Sequence, residues 1–166
     1  MENIENFYAI CKGLVYRGWI AIDTIKGVAD CKDNEATPVD LRNFQVIPDK
    51  SLDFCHFLSK SLIEIKLHEG KCHLKYLHSG NSQNTGEGSR CMTTLLELCD
   101  EYEMTVVLDA YDREQSVSNA RRLVDFYNRF GFEFDSDHED WKDTTLEELT
   151  DQDFLYGIPM IRKQQK

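Results

Sequence analysis

Ile4, Phe7, Tyr8, Cys11, Leu14 and Val15 recur at the spacing of one helical face. That pattern predicts an amphipathic helix over residues 3–17. Trp19 to Ile25 reads either as a strand or as the start of a second helix. Asp33-Asn34-Glu35 and Pro38 mark residues 30–40 as a loop or a helix start.

From residue 61 the pattern is sharper. Leu62 to Leu67 alternates, Glu69-Gly70 supplies a turn, and Cys72, Leu74 and Tyr76 alternate again. Two alternating runs around a short turn containing Gly predict a hairpin. Ser79-Gly80-Asn81-Ser82 is rich in turn formers. Cys91, Met92, Leu95, Leu96 and Cys99 form one stripe, so residues 89–102 are expected to be helical. Thr105 to Leu108 is a short β-branched run, as in a buried strand. Val117, Ala120, Leu123, Val124, Tyr127 and Phe130 return to helical period, with Gly131 placed to end that helix. Phe132 to Phe134 and Ile158 to Ile161 are the last strand candidates. The order strand, strand, helix, strand, helix, strand, strand predicts an α/β fold with a mixed sheet.

Between the last two strands lies an acidic stretch with Asp135, Asp137, Glu139, Asp140, Asp143, Glu147, Glu148, Asp151 and Asp153 against Lys142. Trp141, Leu146 and Leu149 interrupt it, which leaves room for a short helix. It reads as a solvated excursion or as a docking patch for a basic target.

Composition narrows the function classes. The 166 residues are expected to form a single domain, with residues 1–50 its least legible portion. The hydrophobic fraction of 41% supports a folded body. No apolar run reaches the roughly 18 residues that a membrane span needs. Residues 1–45 lack a basic start followed by an apolar stretch, so no secretory leader is expected. Cysteines at 11, 31, 55, 72, 91 and 99 form no Cys-x-x-Cys pair. Six reduced thiols in a cytoplasm are the expectation, with a disulfide or metal framework the alternative. The net charge of -11 disfavours sequence-independent nucleic-acid binding and favours a basic partner.

The chemistry centres on Gln83-Asn84-Thr85-Gly86-Glu87-Gly88, set between a strand and a helix. The first turn of a helix has unpartnered N–H groups and the positive end of the dipole, which suit an anion. Glycines let the backbone close on a phosphate. An ordinary turn would use the same residues. Gly-x-Gly-x-x-Gly and Gly-Lys-Ser/Thr are both absent here.

The stretch resembles the Gln/Arg-x-x-Gly-x-Gly/Ala signature of the GCN5-related N-acetyltransferase superfamily. Some 30 residues on, Asn119-Ala120-Arg121-Arg122-Leu123-Val124-Asp125-Phe126-Tyr127-Asn128-Arg129-Phe130-Gly131-Phe132 is similar to that family's second signature. The resemblance covers about residues 61–136, with Ile158 to Lys163 matching the final strand, so 61–163 is the matching core. It implies a mixed, mostly antiparallel central sheet with flanking helices. It also implies acetyl-CoA as cofactor and acetyl transfer to a primary amine, such as a protein lysine or another cationic amine. Leu77 and His78 would meet the acetyl group and pantetheine arm through their backbone. Gln83, Asn84, Thr85, Gly86, Glu87, Gly88 and Ser89 would hold the pyrophosphate, with Glu87 pointing outward. Asn119 would bond the pantetheine arm, and Tyr127 would be the general acid.

Each role has a plainer rival. Tyr127 lies on an apolar stripe, where a core tyrosine is common. Ser118 and Asn119 are both good helix caps. Asp109, Tyr111 and Asp112, expected in the loop after the central strand, would flank the acceptor amine, or that loop is merely solvated. The general base is open. The family's usual acid position falls near Cys72, and Glu64, His73, Asp109 and Asp112 are the candidates beside a water chain. The Asp-Ala-Tyr-Asp stretch (109–112) is also similar to compact phage-encoded acetyltransferases, which would act in a host cytoplasm. A non-catalytic module that binds CoA or a protein partner remains the alternative, and a homodimer is left open.

Overall fold

The computed structural model describes residues 2–22, 39–43, 45–56, 58–80, 85–142 and 144–164. The architecture is mixed α/β, with seven strands among the described residues, mostly antiparallel, and helices flanking them. The chain divides into two units, residues 1–106 with 164–166, and residues 107–163.

The first unit opens with α1 (Glu2–Tyr16). Of its predicted stripe Phe7, Cys11 and Leu14 are buried, with Ile10 beside them, whereas Ile4 and Val15 are exposed. Four strands follow in the order β1 (Trp19–Ile22), β2 (Ser51–His56), β3 (Leu62–His68) and β4 (Lys71–His78), each antiparallel to the next. The predicted hairpin is β3–β4. It carries a bulge, because Glu64 pairs with Tyr76 but Ile65 pairs with Leu74. Lys75 is the extra residue, and the strand bends there. Helix α2 (Glu87–Glu101) buries Cys91, Met92, Leu95, Leu96, Leu98 and Cys99. It lies against α1 at Gly13, where a Cβ would stand 2.5 Å from the Leu98 side chain.

Strand β2 escaped the hydrophobic pattern. Leu52, Asp53, Phe54 and Cys55 are all buried, so the strand is covered on both faces and shows no alternation. An acid at its centre hides it further. Trp19 to Ile22 resolves to a strand; residues 23–38 lie outside the described residues. The cysteine expectation needs correction. Cys11, Cys72, Cys91 and Cys99 are free and buried, but Cys55 is disulfide-bonded. Cys31 lies outside the described residues.

The second unit orders its strands as β5 (Val106–Ala110), β7 (Ile158–Arg162) and β6 (Glu133–Phe134), the last pair antiparallel. Helix α3 (Val117–Asn128) packs on a six-residue helix, α4 (Asp151–Tyr156). Helix α3 stops at Asn128, three residues before Gly131, which takes φ 81. The acidic stretch is folded, not merely solvated. Thr145 with Glu148 and Thr150 with Asp153 form two capping boxes that start a 3-10 turn and α4. These Thr hydrogen bonds hold both carboxyls below their ordinary range. No described helix is long and apolar enough to cross a membrane.

One buried group runs against good packing. Asp53 is 4% exposed, and its Oδ1 has no hydrogen-bond partner among the described residues. Burial first, and the Glu64 carboxylate second, push its pKa up to about 6. The folded state therefore favours the protonated form. Its relative stabilisation is complete below 3.8 and is lost as pH rises through 6. Asp53→Asn is expected to raise stability at pH 7 by on the order of 2 kcal/mol, a gain that fades toward pH 4. Urea denaturation at a series of pH values checks this.

Candidate functional site

In the first unit, the hairpin ends where α2 begins. Gly86 precedes the helix at φ 83, a left-handed conformation that suits glycine. A Cβ there would meet nothing within 4 Å, so conformation and not crowding demands Gly. Gly86 itself offers no side-chain cap. The leading N–H groups of this 15-residue helix and the positive end of its dipole lie at that point. The helix starts two residues earlier than its apolar stripe suggests. Glu87, Gly88 and Ser89 thus belong to its first turn and not to the preceding loop. Thr85 is exposed, Gly88 and Ser89 are half-buried, and Gln83 and Asn84 lie outside the described residues.

Glu87 does not point outward, contrary to the sequence expectation. Its carboxylate accepts from the Ser61 hydroxyl at 2.8 Å and from Arg90 at 2.6 and 3.0 Å. Ser61 is fully buried. The chain of contacts continues through Ser59 Oγ, 2.8 Å from Ser61 Oγ, to His56 Nδ1 at 3.0 Å. The Arg90 hydrogen bond, followed by those from Ser59 and Ser61, pulls the Glu87 pKa down to about 2. Glu87 is therefore ionised, but its charge is matched by Arg90 and turned onto the β2–β3 connection.

Leu77 and His78 end β4, paired with Ile63 and Leu62. The His78 side chain is engaged: Nδ1 accepts from the Gly80 N–H at 3.0 Å, and the ring stacks with Tyr76 at 6.1 Å. Among the base candidates here, Glu64 stands in register between Asp53 and Tyr76, and His73 in register with Lys66. Cys72 is fully buried. Asp53 itself was missed by sequence reasoning. The available signal was one acid inside the apolar run Leu52 to Cys55.

The second unit holds the other predicted residues. Ser116 caps α3 by accepting from the Asn119 N–H, so neither Ser118 nor Asn119 is the cap. The Asn119 side chain makes no hydrogen bond among the described residues. Tyr127 packs edge-on to Phe126 at 5.3 Å and Phe132 at 5.8 Å. Burial pushes its hydroxyl up to about 12, so the phenol keeps its proton near neutral pH.

Asp109 lies within β5 and not in the loop after it. Asp112 accepts from the Ser116 N–H at 2.9 Å, so one of its oxygens is spent on the turn before α3. Tyr111 lines an open groove of about 620 Å³ with Gln115, Asp151, Gln152, Leu155 and Tyr156. Tyr111 and Tyr156 are 41% and 73% exposed. Arg121 pairs with Asp151 at 3.0 Å and lies over the Phe154 ring. Exposed aromatic faces beside a carboxylate suit a cationic amine. The α4 wall of this groove was not foreseen, because its residues looked like acidic surface.

No protein-family model matches the chain, and no curated protein is significantly similar to it. One solved structure similar to it is described as "Putative acetyltransferase from GNAT family from Bacteroides thetaiotaomicron". The two share 18% identity at a TM-score of 0.45, over 70% of this chain. This chain spans 63% of the length of that one.

The Glu87 arrangement can be checked directly. Arg90→Ala leaves the carboxylate short of its main partner, and is expected to cost about 1 kcal/mol at pH 7. Adding Glu87→Gln should recover part of the loss. Chemical denaturation of the single and double variants measures both effects.

Proposed function

We propose that this chain is an N-acetyltransferase that uses acetyl-CoA and acts on a primary amine. The observation that carries this reading is the start of α2. It combines the positive end of a 15-residue helix, a left-handed Gly86 and a Glu87 drawn aside by Ser61 and Arg90. Such an end fits a pyrophosphate, which Thr85 to Ser89 would hold through their backbone N–H groups. The resemblance of residues 83–88 and 119–132 to the two signatures of the acetyltransferase superfamily narrows the anion to CoA.

When bound, acetyl-CoA supplies the thioester and its leaving thiolate. The chain's own residues then divide the work. Backbone N–H groups at the end of β4, at Leu77 and His78, polarise the carbonyl. Asn119, whose side chain has no hydrogen-bond partner among the described residues, bonds the pantetheine arm. Tyr127, still protonated at neutral pH, gives its proton to the departing sulfur. The Tyr111–Tyr156 groove takes the cationic acceptor on its aromatic faces. A lysine of a basic protein segment suits the acidic chain, whose net charge is -11.

Two measurements test the reading. Calorimetry should show acetyl-CoA binding to the unmodified chain; no binding sinks the proposal. Tyr127→Phe should lower kcat about a hundredfold while leaving acetyl-CoA affinity in place. Unchanged turnover would remove Tyr127 as the acid.

A further inference from the structure

Acetyl transfer to an amine needs a proton acceptor, because an ammonium has no lone pair to attack with. The sequence left that group open. The structure narrows the choice. Asp112 is committed to the Ser116 N–H. Cys72 is fully buried, on a strand position that carries no acid. One carboxylate pair stands out in the first unit, where Asp53 of β2 and Glu64 of β3 are directly opposite each other.

Residues directly opposite on antiparallel strands share a face, with Cβ atoms about 5 Å apart. The row continues to Ile22 on β1 and Tyr76 on β4. Ile22, Cys55, Leu62 and Tyr76 cluster on that face as an apolar surround. Asp53 lies within it, 4% exposed and with Oδ1 unpartnered, while Glu64 is half-buried. Tyr76 immediately precedes Leu77, where the resemblance places the reacting carbonyl.

We infer that the Asp53–Glu64 pair is the proton acceptor for the incoming amine, with Glu64 facing the ammonium and Asp53 behind it taking the proton. This rests on the acetyl-transfer reading above. The balance closes without a further reactant. The ammonium gives one proton to Glu64, which passes it to Asp53. The neutral amine forms the C–N bond, and the C–S bond breaks. The thiolate receives the Tyr127 proton, the second proton of the attacking nitrogen leaves the new amide through solvent to restore Tyr127, and Asp53 later returns its own to solvent.

Two physical facts favour a functional role over a structural one. An unpartnered buried acid lowers stability near neutral pH, and such groups concentrate where chemistry needs them. An acid that charges at about 6 is a better proton acceptor at neutral pH than an ordinary carboxylate. The titratable neighbours on that face are few. β3 contributes Glu64 and Lys66, the latter 3.6 Å from Asp49, and β4 contributes Tyr76, His78 and, past the bulge, His73. Among the described residues of that face, Ile22 of β1 and Ser51 and the disulfide-bonded Cys55 of β2 do not titrate.

The test is kcat/KM against pH, with saturating acetyl-CoA and a lysine-bearing basic peptide or spermidine as acceptor. The unmodified chain should gain activity with pH through an inflection near 6. Asp53→Asn should lose that inflection and fall about a hundredfold at pH 7, while binding acetyl-CoA as before. Glu64→Gln, the second variant, removes the neighbouring charge and should move the inflection to lower pH. Asp53→Glu should restore part of the rate. Transfer with an unchanged profile in both neutral variants overturns this inference alone. Acetyl-CoA binding without transfer to either probe by the unmodified chain overturns it together with the catalytic role. Absence of acetyl-CoA binding overturns the cofactor reading itself.

Discussion

The Glu87 carboxylate is the tie on which the candidate cofactor end depends. It sits in the first turn of α2, where an acid is favourable to the helix but repels a bound anion. Ser61 and Arg90 resolve that conflict. They draw the charge onto the β2–β3 connection and neutralise it there. The same contacts couple the start of α2 to Ser59 and His56. One side chain thus joins the helix start to the β2–β3 connection.

The sheet carries a second tension. Strand β2 is covered on both faces, yet places a carboxyl at a position made for an apolar residue. The residues around Asp53 are too apolar to stabilise its charge, and Glu64 opposes it. A group held that way exchanges stability for a proton affinity near neutrality. That exchange gives meaning to a strand that is otherwise ordinary.

The second unit shows how acidic composition becomes architecture. Glu148 and Asp153 are spent on two capping boxes. Asp151 is paired with Arg121. The remaining acids give the region its field, and the short helix they start carries Tyr156 to the groove that Tyr111 lines. The charge that reads along the chain as solvated surface thus also holds the local turns and the start of α4 in place.

Much of this was legible in the sequence, for a local reason. Helical and strand periods, the Glu69-Gly70 turn and the Gly86 helix start depend on neighbours within a few residues. Helices α1, α2 and α3, the β3–β4 hairpin and the later strands therefore emerged with small errors at their ends. Glu87 and Gly88 moved into a helix, and Asp109 moved into a strand. The rest depends on what strands and turns bring together from afar. Nothing local says that Ser61 will meet Glu87 across 26 residues, or that Asp53 will lie opposite Glu64. A two-sided strand has no period to read, and a buried acid looks like any other until its surround is known. The sequence by itself determined most of the elements and the helix start marked by Gly86. Only the tertiary structure decided which charges are neutralised, which is left without a partner, and where an exposed groove opens.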